Sequence, residues 1–377
     1  MKQALMLPLG EGDFKRGLRL NLLRDFAPML HEIGCTVGVE YKGDDLPLES
    51  GNWVDKSTDI LMSLDGVIVW HPPNKFAWKL GDPSEPVSPL HEKAAQQATV
   101  LRREKGLKLM TIHLAPAQYV ERTGEDRYES LIEAEDMLSH IEHQIDPLCR
   151  LAELSDGTLS METVDIINFA DQGFKLPTYL MLQTGAGREL KYIQKEVKRR
   201  SGFHVNITVD PEHVICSSNV LQRRRDMRGM PYSRPENPTE AQIKLAEITG
   251  YWLEKGKVPF NAEVHENLEG NVRNALELFN PELLHLGAAE QAETDIHEID
   301  THLPYNPWDN WQMELLDELL QWSKDRQDNC CGWVIEVAGR RVSERYSPWS
   351  ARPEDDEVAK LMSYLVVIDR LKSLIAS

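Results

Sequence analysis

Val205-Asn-Ile-Thr-Val-Asp210-Pro-Glu-His213 is a β-branched run that ends in a carboxylate and, three residues on, an imidazole. A strand buried in a parallel sheet reads as a near-continuous apolar run. An oxygen and a nitrogen donor at its carboxyl end can hold a metal there. The same kind of ending recurs in Val67–His71, Leu109–His113, Leu159–Glu162, Leu283–His285 and Trp333–Glu336. Such endings, repeated in chain order, predict one mouth into which the strands deliver their ligands.

Outward from that run, strand-like segments at Gln3–Leu9, Thr36–Tyr41, Gly66–Trp70, Leu107–Ile112, Thr158–Glu162, Val205–Val209, Leu283–Gly287 and Gly332–Val337 alternate with helical patterns. This is the rhythm of a parallel sheet with helices outside. Eight such strands predict an α/β fold, a closed (β/α)8 TIM barrel, with residues 1–377 forming a single domain. Helices are expected at Lys15–Gly34 and Ser88–Gly106, each stopping at glycine, and at Tyr128–Leu154 and Glu189–Ser201. Between the sixth and seventh strands the chain spends about seventy residues, too many for a simple connection. A helical insertion is therefore expected at 217–280, over the barrel mouth, with helices at Thr239–Lys255 and Leu268–Phe279.

The composition excludes several classes. The five cysteines lack a CxxC pair, so neither a disulfide framework nor a thiolate zinc site is indicated, and any metal must be held by His and carboxylate. A net charge of −19 argues against non-specific binding to a nucleic-acid backbone. The run Arg223, Arg224, Arg225 and Arg228 is the local exception, either a phosphate clamp or a solvated surface. The first apolar run is too short for a secretory signal, and no stretch approaches the roughly 20 apolar residues of a membrane span. A cytoplasmic protein with no membrane partner is expected.

The residues at or just after the strand ends are Glu40, His71, His113, Glu162, Asp210 with His213, His285 and Glu336. Beyond the seventh strand come Asp295-Ile-His297 and Asp300-Thr-His302. Each has a plainer reading: Asp210 as a helix N-cap, His213 as a core histidine, Glu40 as a salt-bridge partner of Lys42 or a substrate contact. His91 reads as a solvated residue on a charged helix. Imidazole and carboxylate without thiolate suit zinc, manganese or iron.

In this order the residues resemble the xylose-isomerase-like TIM-barrel superfamily, and within it the branch of metal-dependent apurinic/apyrimidinic (AP) endonucleases. The resemblance implies metal ligands at His71, His113, Glu162, Asp210, His213, His285, Asp300, His302 and Glu336, with Asp295 and His297 the alternative loop pair. It implies up to three divalent ions per chain, zinc foremost, with Glu162 and Glu336 as catalytic carboxylates. The implied activity is a metal-dependent hydrolase of phosphodiester or phosphorylated-sugar substrates. Its partner would be a small phosphorylated or sugar substrate, or nucleic acid held by the arginine run at 223–228. Departures are evident: the branch's amino-terminal His-Val-Ser becomes Leu7-Pro8-Leu9, and its His-Leu-Asn-Asp becomes His285-Leu286-Gly287-Ala288. Two alternatives stand beside this reading. A sugar isomerase or epimerase needs only Glu162, Asp210, His213, His285 and Glu336 around one divalent ion, with two glutamates moving protons. A barrel that binds metal or ligand without turnover is the other.

Overall fold

Each strand alternates its side chains between two faces, and here one face is the barrel axis and the other the helical layer. The computed structural model describes residues 3–9, 18–43, 52–73, 80, 86–114, 120–124, 127–130, 133–163, 188–215, 234–250, 252, 268–288, 303–337 and 353–376. The strands β1 (Ala4–Leu9), β2 (Thr36–Lys42), β3 (Val67–His71), β4 (Leu109–Ile112), β7 (Leu159–Glu162), β8 (Asn206–Val209), β9 (Leu283–Leu286) and β10 (Gly332–Ile335) close into one parallel barrel. Pairing of β1 with both β2 and β10 completes the circle, Ala4 lying opposite Thr36 on one side and Gly332 on the other. The fold is the expected (β/α)8 barrel.

A hairpin, β5 (Val120–Gly124) with β6 (Arg127–Ser130), projects between β4 and the following helix. It corrects the reading of Tyr128 as the start of a helix: Tyr128 lies in β6, paired with Arg122 of β5, and β-branched and aromatic residues such as Val120 and Tyr128 favour strands. The helices are α1 (Leu18–Glu32), α2 (Trp53–Ser63), α3 (Pro89–Lys105), α4 (Ala134–Leu154), α5 (Arg188–Ser201), α6 (Glu240–Thr249), α7 (Leu268–Phe279), α8 (Asn310–Asp325) and α9 (Pro353–Ala376). Helix α3 starts from a capping box in which Ser88 and His91 satisfy each other's backbone N–H groups, and it ends at Gly106 in the left-handed conformation. His91 is thus buried at the cap and not solvated. Of the insertion, α6 packs against α4 and α5, and α7 against β8 and α5.

Two cores result. A small one inside the barrel joins Ala4, Met6, Val69, Leu109, Leu283, Cys331 and Val334. The large one lies between strands and helices and includes Leu5, Tyr41, Trp53, Trp70, Ile207, Leu284 and Trp333. Gly38 has a specific reason to lack a side chain, since a Cβ there would lie 2.5 Å from the Met6 Cγ.

Candidate metal and active site

The alternation that buries Val69, Leu109, Leu283 and Val334 in the barrel interior sends the residues two positions on to the same face, nearer the mouth. These are His71, Thr111, His285 and Glu336; on β7 and β8 the corresponding residues are Glu162, Thr208 and Asp210. The interior therefore changes character along its axis. Above the apolar floor lies a belt of hydroxyls, where Thr208 Oγ1 is 2.9 Å from Ser160 Oγ and 3.4 Å from Thr111 Oγ1. Above that belt the ionisable residues converge.

Glu162 is the hub. One carboxylate oxygen lies 3.2 Å from both His71 Nε2 and His113 Nε2. The other lies 3.0 Å from His285 Nδ1 and 3.9 Å from His213 Nδ1. His285 Nδ1 is also 2.8 Å from Glu336 Oε2. The ligand atoms form two overlapping groups, His71–His113–Glu162 and Glu162–Asp210–His285–Glu336, each with all its atoms within 4.8 Å of one another. Glu162, Asp210 and His285 are almost wholly buried, whereas His113 and the Glu336 side chain are partly open to the mouth.

Backbone carbonyls set the imidazoles. His71 Nδ1 donates to the Pro72 carbonyl at 3.0 Å, which leaves Nε2 facing Glu162. His213 Nδ1 donates to the Thr163 carbonyl at 2.7 Å, which leaves Nε2 toward Asp210 Oδ2 at 3.6 Å. Asp210 fills both roles weighed for it. Its Oδ1 accepts from the Glu212 and His213 amides at 2.7 and 3.2 Å as an N-cap, and the same carboxylate belongs to the four-residue group.

Electrostatics follow the contacts. Burial alone would raise the Glu162 pKa, but His285 and His113 beside it hold the carboxyl well below its usual value. Burial works against a charged His285, yet Glu162 and Glu40 carry its pKa well above the usual histidine value. For His71 burial is likewise outweighed, by its bond to Glu162, and the net shift is upward. At His113 burial prevails over Glu162 and the shift is downward.

Two participants lay outside the expected ligand set. Lys42, at the end of β2 and opposite His71 in register, hydrogen-bonds through its ammonium to Glu336 Oε1 and lies 3.8 Å from Glu40 Oε2. Burial opposes its charge, but Glu336 and Glu40 raise its pKa above the ordinary lysine value. Glu40, fully buried, does pair with Lys42 as read from the sequence, but its shorter contact is with His285 Nε2 at 3.0 Å. The signal was the parity of β2: Gly38, Glu40 and Lys42 alternate with the apolar Val39 and Tyr41, so the charges face inward. Asp300, His302, Asp295, His297 and the arginines Arg223, Arg224, Arg225 and Arg228 lie outside the described residues.

Four carboxylates, Glu40, Glu162, Asp210 and Glu336, thus meet the Lys42 ammonium and the imidazoles of His285 and His71, whose pKa values are raised, so that acidic groups outnumber basic ones among the described residues of the site. Buried charge of one sign is costly unless a counter-charge enters, and three carboxylates with an imidazole form a donor set that fits a hard or borderline divalent cation.

No protein-family model matches the chain, and no curated protein matches it. Solved structures do resemble it. An L-ribulose 3-epimerase shares 11% identity over 99% of this chain and 96% of its own, with a TM-score of 0.46. A D-allulose 3-epimerase from Methylomonas sp., in complex with D-allulose, shares 11% over 98% of this chain and 100% of its own, at 0.46. A D-tagatose 3-epimerase-like protein shares 13% over 88% and 89%, at 0.42. The expectation of an AP-endonuclease-like hydrolase is corrected: these structures are of sugar epimerases or epimerase-like proteins, the class of the first alternative, and none is an AP endonuclease. At such identities the likeness concerns the fold, and the functional argument rests on the site. No described helix is long and apolar enough to cross a membrane.

Proposed function

We propose that this protein is a divalent-metal-dependent sugar isomerase or epimerase. The observation that carries the reading is the group Glu162, Asp210, His285 and Glu336, whose ligand atoms lie within 4.8 Å of one another at the mouth of the barrel. Those four residues would hold the ion, and their oxygen-rich donor set favours manganese over zinc. When bound, the ion supplies Lewis-acid polarisation of a sugar carbonyl.

The chain's own groups account for the proton movements. Glu162, kept ionised by the imidazoles around it, is the base that takes the proton from the carbon next to the carbonyl. The electron pair left on carbon passes to the carbonyl oxygen, giving an enediolate. Lys42 would place a positive charge beside that oxygen. For epimerisation a proton must reach the opposite face: Glu336, on the other side of His285, would take it from the Lys42 ammonium that hydrogen-bonds to it and pass it to the carbon, while Glu162 gives up its proton to solvent to reset the pair. His113 and His213 would meet the sugar hydroxyls. A sugar is thus the partner this reading requires, and the arginine run plays no part in it.

The contact of His71 and His113 with one Glu162 oxygen favours a second reading on metal count, in which another ion sits there and shares Glu162. Elemental analysis of wild type and His113→Ala separates the two. The function itself is tested by incubating the manganese-loaded protein with ketoses and aldoses in deuterated water and following each sugar by NMR. The expected result is deuterium at the carbon next to the carbonyl and the appearance of an epimer or isomer. Both should vanish in Glu162→Gln and Glu336→Gln. Tight metal binding with no exchange on any sugar would leave a non-catalytic barrel instead.

A further inference from the structure

We propose that Glu40 is the positioning residue that commits His285 to present Nδ1 to the metal, an inference that rests on the metal-site reading above. Glu40 is fully buried and belongs to neither ligand group, so the coordination set itself does not account for it. A carboxylate in the barrel interior is expensive to keep. What it touches explains why it is there: Glu40 Oε1 lies 3.0 Å from His285 Nε2.

A carboxylate accepts hydrogen bonds, so the contact requires Nε2 to carry the hydrogen. With Nε2 so committed, the proton that an incoming ion would displace is the one on Nδ1, which leaves the lone pair there. That atom lies 3.0 Å from Glu162 Oε1 and 2.8 Å from Glu336 Oε2, between two carboxylates of the four-residue group. The other tautomer would aim its lone pair at Glu40 and its N–H at the metal position. The strand register supports this geometry. Glu40 is paired with Val69 while Lys42 is paired with His71, so the two charges of β2 face the barrel interior two residues apart, Glu40 deeper than Lys42. Its second oxygen, 3.8 Å from the Lys42 ammonium, places a cation beside Glu336. One carboxylate thereby orients a ligand and restrains the lysine that contacts another ligand.

Outer partners of metal-bound histidines fix tautomer and ring orientation, and losing one weakens metal binding by about 10–100-fold. The test is Mn2+ affinity, measured by competition with a chromophoric chelator, for wild type, Glu40→Gln and Glu40→Leu. Urea denaturation of the ion-free proteins is run in parallel. Glu40→Gln keeps the volume and an uncharged acceptor and should lose about tenfold; Glu40→Leu removes the acceptor and should lose about 100-fold. The ion-free denaturation midpoints report the fold separately, since removing one member of the buried Glu40–His285 pair is itself destabilising. Wild-type affinity in a folded Glu40→Gln and Glu40→Leu would overturn the role of Glu40 and leave the metal site standing. A wild type that binds no divalent ion would overturn both. Should Glu40→Leu fail to fold, Glu40→Gln decides.

Discussion

Replacing Glu162 by glutamine neutralises the one side chain shared by both ligand groups and leaves its volume unchanged. The consequence can be worked out as a linkage. At a free Mn2+ concentration about 100 times the wild-type dissociation constant, binding stabilises the fold by about 2.7 kcal/mol. Outer-sphere changes already weaken metal sites by up to about 100-fold, so at least that loss is expected for a ligand carboxylate. The variant would then gain RT ln 2, about 0.4 kcal/mol, at the same concentration. An unfolding entropy of about 2.1 cal/mol/K per residue gives about 0.8 kcal/mol/K for 377 residues. The ion should therefore raise the wild-type melting temperature by about 3 °C and that of Glu162→Gln by about 0.5 °C. The assay is calorimetry of each protein with and without Mn2+. Each protein is its own reference, so any effect of the substitution on the ion-free fold cancels. An ion-induced shift in Glu162→Gln equal to that of wild type would refute the placement of Glu162 in the coordination set.

Three further outcomes are expected. His113→Ala should retain the ion of the four-residue group, because His113 is not in it, while turnover falls by about 10–100-fold through loss of a substrate-facing imidazole; elemental analysis and the deuterium-exchange assay check the two halves. Glu189→Gln should raise the melting temperature at pH 7.5 and leave it unchanged at pH 4. Glu189 is fully buried at the start of α5, with no side-chain hydrogen-bond partner on either oxygen among the described residues, and burial holds its carboxyl well above the usual carboxylate value. The folded state therefore keeps a proton that the unfolded chain gives up near about pH 4.3. Stability is complete below that pH and falls as pH rises toward the folded value, so equal pH profiles of variant and wild type would count against the assignment. Gly332→Ala should cost more than about 3 kcal/mol in urea denaturation. Its φ is +150°, and a Cβ there would meet the Ala4 backbone, 2.7 Å from the amide nitrogen, at the seam where β1 joins β10. An unchanged midpoint would contradict that closure.

The barrel was legible because its two periodicities are: apolar runs of strand length, separated by amphipathic stretches, most of the runs ending in a donor. The residues that converge on Glu162 were legible for the same reason, since a parallel barrel brings every carboxyl end to one face. What escaped reading was of other kinds. The hairpin β5–β6 lies next to the charged stretch before α4, and Tyr128 continues a helical period equally well. His91 looked solvated because a capping box needs Ser88 and the ring in one local geometry that periodicity does not display. Metal count and activity escaped because the same ligand order serves both hydrolysis and isomerisation, and fold does not choose between chemistries.

Strand β2 shows how much of the site comes from a single alternation. Its inward residues are Gly38, Glu40 and Lys42, and each answers a different need along the barrel axis. Gly38 leaves the space that Met6 fills in the apolar floor. Glu40, two residues on, is the acceptor for His285 Nε2. Lys42, at the level of His71, brings a cation against Glu336 at the mouth. A one-residue slip of this strand would turn Val39 and Tyr41 inward and carry both charges into the helical layer. It would leave His285 without its acceptor and Glu336 without its ammonium. The pairing of β2 with β1 from Thr36 to Tyr41 and with β3 from Gly38 to Lys42 is therefore as much a requirement of the site as the ligands are, and the close fit of Met6 over Gly38 suits only that register.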